Sequence, residues 1–346
     1  MKSKSILSAV LALIFLTQAC SSPVVAPTPM AIPLSPTVRD VIIDTDMAFD
    51  DWLAILYLLQ RADINVVAIT VVGTGEAHCA PGMQHALELI QLAGESGIPV
   101  TCGRQTPLEG GHEFPLEWRE RVDDLAGLEL PASPESPQTM DAVELLIELI
   151  SSSPENVTVL ALGPLTNVAK ALTASPALAG QIEMLYIMGG AVRAAGNVSF
   201  VVPENEVAEW NFYADPLAAQ MVFESGTSIT LIPLDATNYA PMTPEFFSLL
   251  GSQRLTPVAE FAYAAMEQHY GAIEDGLYSF WDTLAAAILA DETLAAFEQL
   301  RLSVAAAEGP NSGQTVIDAN GASINVATNA NRADFENYFL QILNTP

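Results

Sequence analysis

The chain has 346 residues, 50% hydrophobic and 15% charged, so it can bury a large core and is not disordered over most of its length. Twelve Lys+Arg stand against 41 Asp+Glu, a formal net charge of -29. A field that negative makes nucleic acid and other extended polyanions poor partners, and it favours cations and neutral small molecules.

The N-terminus opens with Lys2 and Lys4, then the apolar run Ile6 to Leu16, then Thr17-Gln18-Ala19-Cys20. A basic start, a short apolar stretch and small residues before a cleavage point predict an export signal over residues 1–19. The run is too short for a comfortable membrane span, and the absence of a second one argues against a polytopic membrane protein. Cys20-Ser21-Ser22 resembles the lipid acceptor of bacterial lipoproteins, so the expected location is the outer face of the cell membrane. Ordinary secretion is the alternative. Residues 20–38 carry five prolines among Ser, Thr, Ala and Val and read as an extended tether.

From residue 39 the pattern predicts one α/β domain to residue 346. Strands are expected at Val41–Ile43, Ile64–Val72, Ile98–Thr101, Val157–Leu160, Ile182–Met188 and Ser228–Ile232, because these are short apolar, β-branched runs. Helices are expected between them at Trp52–Leu59, Met83–Ala93, Ala142–Ile150, Leu165–Leu172 and Pro216–Phe223. Residues 243–296 read as largely helical, 301–327 as strand and turn, and Arg332–Leu343 as a final helix. Alternation of this kind gives a mostly parallel sheet with helices on both faces, a Rossmann-like open sheet. Ligands of such sheets bind outside the carboxyl ends of the strands. Several predicted strands end in polar or glycine-rich sequence: Asp44-Thr45-Asp46, Gly73-Thr74-Gly75, Gly163-Pro164, Met188-Gly189-Gly190 and Leu234-Asp235. Cys79 and Cys102 could pair in an exported protein or stand as two separate buried thiols.

The strongest local signal is Asp44-Thr45-Asp46-Met47-Ala48-Phe49-Asp50-Asp51, four carboxylates in eight residues directly after a buried strand. A helix N-terminus explains one or two of them as caps. Four would repel one another unless a cation sat among them, and hard divalent cations take oxygen ligands. Haloacid-dehalogenase-like phosphatases also place acids here, with Asp44 as nucleophile and Asp46 as acid/base. That plan has no use for Asp50-Asp51 and expects another residue type at Ala48.

The sequence resembles the inosine-uridine-preferring nucleoside hydrolases. Their opening Asp-x-Asp-Pro-Gly-x-Asp-Asp reads DTDMAFDDWLAIL here. In the same order follow TVVGTGEA at 70–77, ALGPLTNVA at 161–169, Met188-Gly189-Gly190, Gly196-Asn197, Glu209-Trp210-Asn211 before Asp215-Pro216, and Trp281-Asp282. Met47-Ala48 replaces Pro-Gly, Thr74 stands where many members have Asn, and Trp281 stands where many have His. Some extra residues separate Asn197 from Glu209, and the His-Gly of an upstream loop is replaced near Val122-Asp123-Asp124.

The resemblance implies calcium-dependent hydrolysis of the N-glycosidic bond of ribonucleosides. It implies metal ligation by Asp46, Asp51, Asp282 and the main-chain carbonyl of Leu162, with Asp46 also the base for water. Asp50, Asn197, Glu209 and Asn211 would hold the sugar hydroxyls, Met188 would pack under the sugar, Trp281 would stack on the base, and Asp44 would support the set. It also implies a homo-oligomer. Asp235 reads as a loop-structuring acid. No histidine matches the family's leaving-group acid: His78 has no assigned role, His85 reads as a structural or surface residue of a helix, and His112 and His269 are the candidates. A tethered, non-catalytic nucleoside-binding lipoprotein is the competing reading.

Overall fold

A strand buried on both faces needs an unbroken apolar run, and the centre of this sheet is built from such runs. The computed structural model describes residues 38–345 except 154 and 155; the export signal, Cys20 and all but the last residue of the tether lie outside the described residues. The sheet comprises β1 (Arg39–Thr45), β2 (Ile64–Val71), β3 (Val100–Cys102), β4 (Val157–Ala161), β5 (Ile182–Met188), β6 (Ile229–Ile232), β7 (Ala295–Val304), β8 (Thr315–Ile317) and β9 (Ala322–Ala330). Their order is β3-β2-β1-β4-β5-β6-β9-β7-β8. The first seven in that order run parallel, and β7 is antiparallel to both β9 and β8. This is the α/β class and mostly parallel sheet that the sequence predicts. The order reverses between β1 and β4, and a crevice opens where neighbouring crossovers leave toward opposite faces.

Period-two alternation assigns the side chains of β1. Val41 and Ile43 enter one apolar layer with helices Phe49–Leu59, Cys79–Leu92, Pro257–Gln268, Trp281–Ala290 and Arg332–Leu343. Ile42 enters the opposite layer with helices Ala142–Ser152, Thr166–Ala174 and Pro216–Glu224. The Phe49–Leu59 helix is buried on every side, which explains why its sequence is apolar all round rather than striped.

Two elements differ from expectation. β7 begins at Ala295, inside the stretch expected to be helical. Its opening Ala-Ala-Phe-Glu-Gln-Leu is rich in helix formers, but pairing from Ala295↔Ala330 to Leu302↔Ala322 overrides local preference. A helix also forms at Leu116–Asp123, which no periodicity announced. Cys79 and Cys102 form a disulfide, tying the start of the Cys79–Leu92 helix to the end of β3.

Candidate active site at the carboxyl ends of the strands

The acidic segment leaves the end of β1, next to the reversal of strand order. Asp44 pairs with Thr70 on β2 and Ala161 on β4. Its Oδ1 accepts from Thr70 Oγ1 at 2.6 Å and Asn167 Nδ2 at 2.8 Å. One residue on, Thr45 points to the other face and its hydroxyl donates to Asp51 Oδ1. The turn into the Phe49–Leu59 helix is made at Met47, which adopts a left-handed φ of 58° without being glycine. Thr45 Oγ1 accepts from Met47 N at 2.9 Å, and Met47 O accepts from Trp52 Nε1 at 2.8 Å. Those bonds offset a conformation that costs an L-residue about 1–2 kcal/mol.

Asp46 is held by close backbone approach. A Cβ on Gly75 would lie 2.0 Å from the Asp46 Cβ, and one on Gly163 would lie 2.8 Å from it. Both loops must therefore carry glycine at these points. Asp46 Oδ2 accepts from Glu76 N at 3.1 Å, and Ala77 N donates to Asp46 O at 2.9 Å.

Asp50 and Asp51 occupy the first turn of their helix, where the helix dipole favours negative charge. The Trp281–Ala290 helix packs beside it and brings Asp282, whose N–H donates to Asp50 Oδ2 at 3.1 Å. One carboxylate oxygen from each of Asp50, Asp51 and Asp282 lies within 4.8 Å of the other two. Asp46 adjoins the group, since its charge adds to burial in raising Asp50, Asp51 and Asp282. Asp51 and Asp282 thus meet as the resemblance implies, and Asp50 rather than Asp46 completes the tightest three.

Burial pushes every one of these carboxyls up. Asp44 rises to about 7 and Asp50 to about 6, against 3.8 in water. Asp51 and Asp282 lie well above it, from burial first and repulsion by their neighbours second. Three buried carboxylate oxygens among the described residues have no hydrogen-bond partner: Asp44 Oδ2, Asp51 Oδ2 and Asp282 Oδ1. Unpartnered carboxylate oxygens are costly unless something cationic satisfies them. Converging, hard and oxygen-only, this donor set fits a calcium-like ion.

The sugar-binding candidates gather beside it. Leu162, just past β4, donates its N–H to Asp44 O at 2.8 Å, and its carbonyl accepts from Asn211 Nδ2 at 2.8 Å. The same Nδ2 reaches Met188 O at 3.2 Å. Asn211 therefore bridges β4 and β5 and does not cap the next helix, where Asp215 accepts from Ala218 N instead. Glu209 caps the short Trp210–Ala214 helix, its carboxylate accepting from Asn211 N (2.9 Å), Phe212 N (3.2 Å) and Gly190 N (2.8 Å). Burial still raises Glu209 to about 7. Asn197 Oδ1 accepts from Trp210 N at 3.1 Å. Asp235 accepts from Val192 N and Arg193 N, both at 2.8 Å, the expected loop-structuring role. Trp281 opens the helix that carries Asp282 and packs 5.5 Å from the Tyr278 ring.

Three of the four histidines are engaged by other groups. His78 pairs with Asp123. The buried Nδ1 of His85 has no partner, and its ring lines a pocket with Glu88, Asp124 and Leu128. His112 contacts Tyr213 O at 2.7 Å and Glu308 at 3.1 Å and stacks on Tyr213. His269 stacks on Phe49, donates Nδ1–H to Ala265 O at 3.0 Å, and takes a 3.4 Å contact from Arg121 at Nε2. Burial pushes His269 down to about 4.

Three residues near the carboxylates carry no role from sequence: Glu76, Arg119 and Tyr278. The signal for Glu76 was its place in the GTGEA loop. Its carboxyl is pushed well above the usual range by burial and by Asp46 and Asp50. Arg119 lies on the unannounced helix and donates Nη2–H to Gly73 O at 3.0 Å.

Fold and site together define an open α/β protein with a buried, cation-sized carboxylate group at the reversal of its strand order. The chain belongs to the inosine-uridine preferring nucleoside hydrolase family, whose pattern it matches over residues 41–337. It is 36% identical over 235 residues to the pyrimidine-specific ribonucleoside hydrolase RihA of Citrobacter koseri, covering 66% of this chain and 72% of that protein. It is 35% identical over 205 residues to probable uridine nucleosidase 1 of Oryza sativa subsp. japonica, covering 59% and 61%. The matches to the plant uridine nucleosidases thus span about three fifths of their length. The crystal structure of an inosine-uridine preferring nucleoside hydrolase from Bacillus anthracis superposes with a TM-score of 0.78 at 27% identity, over 89% of this chain and 100% of that one.

Proposed function

We propose that this chain hydrolyses the N-glycosidic bond of ribonucleosides to free base and ribose, with calcium as its cofactor. The supporting observation is the set of unpartnered buried oxygens on Asp51 and Asp282, within the group those residues form with Asp50. Asp51, Asp282, Asp46 and the Leu162 carbonyl would hold the ion. Bound there, calcium supplies positive charge that acidifies water and orients vicinal hydroxyls.

The chain's own residues do the rest. Asp46 accepts the proton of the attacking water, its carboxylate aimed by the Glu76 N–H and by the glycine contacts on either side. Asp50 accepts from a ribose hydroxyl. Asn211 keeps Oδ1 for the sugar while its Nδ2 is spent on two carbonyls. Glu209, fixed by three backbone N–H groups, and Asn197 hold further hydroxyls. Met188 packs under the sugar and Asp44 braces β1 from behind. Trp281 offers an aromatic face to the base. Uridine and inosine are the first substrates to test, since relatives and structural neighbours are named for them. As the family resemblance implies, the working unit is a homo-oligomer.

The test is release of base from uridine, inosine and adenosine by the purified chain, in EDTA and after calcium is restored. Turnover should appear only with calcium, and Asp46→Asn should lower it by about 10³-fold. Nucleoside binding without turnover in the calcium-loaded chain would replace this reading with the binding-protein one.

A further inference from the structure

A departing base carries off the electron pair of the broken bond, and something must stabilise that charge. The rings of His78, His112 and His269 are turned to other partners, and His269 is held neutral. Among the described residues, one Lys or Arg is buried, and it is Arg119, with 6% of its surface exposed. Its guanidinium makes one hydrogen bond, from Nη2 to Gly73 O. Its Nε is buried without a partner, and no carboxylate lies within 4.0 Å to pair with it.

A buried, unpaired guanidinium is costly, so its retention calls for a compensating anion. Its position says where. Gly73 opens the loop that continues through Gly75, packed on Asp46, to Glu76, bonded to Asp46. Burial outweighs it at both Asp46 and Glu76, but the Arg119 charge favours their ionised forms, as a cation beside that loop must. Next to Arg119 on the same helix, Trp118 joins an aromatic cluster with Phe114 and Trp210, whose N–H bonds Asn197. The helix therefore borders both the catalytic loop and the sugar-binding segment.

We propose that Arg119 is the catalytic residue that stabilises the leaving base, by hydrogen bonding from its guanidinium to the base's ring nitrogen or carbonyl oxygen. The inference rests on the hydrolase reading. In the step, the bond from C1′ to the base nitrogen breaks and its electron pair stays on the base. Water oxygen bonds C1′ and gives its proton to Asp46. Arg119 remains protonated throughout, because its pKa is far above neutrality. The base takes a proton from solvent water after it leaves, and Asp46 returns its own to solvent. Arg119 thus acts as a fixed donor and not as an acid, in the manner of an oxyanion hole.

The experiment uses a substrate pair differing in leaving group: uridine, whose base leaves poorly, and para-nitrophenyl riboside, whose phenolate needs little help. Arg119→Gln and Arg119→Lys are compared with the parent chain in calcium, with folding checked by circular dichroism. The expected result is a leaving-group-dependent loss for Arg119→Gln. The kcat on uridine falls about 10²–10³-fold, as for removal of one oxyanion donor, and that on the aryl riboside falls less than tenfold. Arg119→Lys should fall between, because it keeps charge but loses the planar fork. Equal losses on both substrates would make Arg119 a positioning residue for the Gly73–Glu76 loop and overturn the proposal. Equal retention would overturn it as well. A parent chain that turns over neither substrate marks failure of the hydrolase reading itself.

Discussion

At the scale of single residues, the site is governed by what is absent as much as by what is present. Gly75 and Gly163 bear no chemistry, yet a methyl group at either would enter the space of Asp46. Gly75→Ala should therefore behave as a catalytic lesion. The chain should fold, with unchanged circular dichroism, while kcat on uridine drops about 10²-fold, the scale of a 1 Å misplacement of a reacting group. Normal kcat would show that the loop yields and that the contact does not aim Asp46. The carboxylates were legible in the sequence because four acids after a buried strand have few structural explanations. Arg119 was not. Its meaning lies in its burial and in the partners it lacks, and a lone arginine in an irregular stretch discloses neither.

At the scale of elements, the loop after β2 is pinned at several points. Val72 N donates to Thr45 O, Gly75 N to Val72 O and Ala77 N to Asp46 O. Immediately beyond it, Cys79 is cross-linked to Cys102 across a sequence separation of 23. Closing a loop of that length restricts the unfolded chain by about 3 kcal/mol. Cys79→Ala with Cys102→Ala should lower unfolding free energy by about that amount, measured by urea titration at pH 7 in calcium. An unchanged midpoint would mean that the bridge adds nothing to the pinning already present. Sequence left the pairing open because spacing alone cannot bring two cysteines to one place. β7 was hidden for a similar reason: its helix-forming residues are recruited by a partner strand that follows it in the chain.

At the scale of the whole molecule, the acidic balance has two consequences of opposite sign in pH. Without a cation, the buried carboxyls keep their protons above the unfolded value of 3.8, Asp44 to about 7 and Asp50 to about 6. The native state then binds more protons across that window, so stability falls as pH rises through it. His269 works the other way. Folded at about 4 against 6.5 in water, it contributes about 3 kcal/mol, at roughly 1.4 kcal/mol per unit, which is lost as pH falls from 6.5 to 4. His85 is also held down by burial, but the raised carboxyls outnumber these two imidazoles. In EDTA the thermal midpoint should therefore rise by roughly 5 °C from pH 7.5 to pH 6. Calcium, by holding the carboxylates ionised, should remove that rise. A midpoint that falls on the same acidification in EDTA would contradict the assignment. The parallel core was readable because buried strands and helices alternate in plain apolar runs. The return of the chain through β9, between β6 and β7, was not, since strand order is set by packing between segments far apart.

The carboxylate group also has a history in time. The Asp282 N–H and the Asp50 carboxylate that accepts it are separated by 232 positions. Phe335 and Phe339 of the last helix complete the layer over Tyr57, on one acid-bearing helix, and Phe280, at the start of the other. A chain made from its N-terminus therefore exposes Asp44 to Asp51 long before their partner exists. Local elements can form early, but the cation can be captured only after nearly the whole chain has been made. On the proposed reading, ion loading would be the closing event of folding rather than its seed. Such a protein would pass through synthesis, and through any passage across a membrane in the unfolded state, without its metal, and would acquire it from the surroundings in which folding ends.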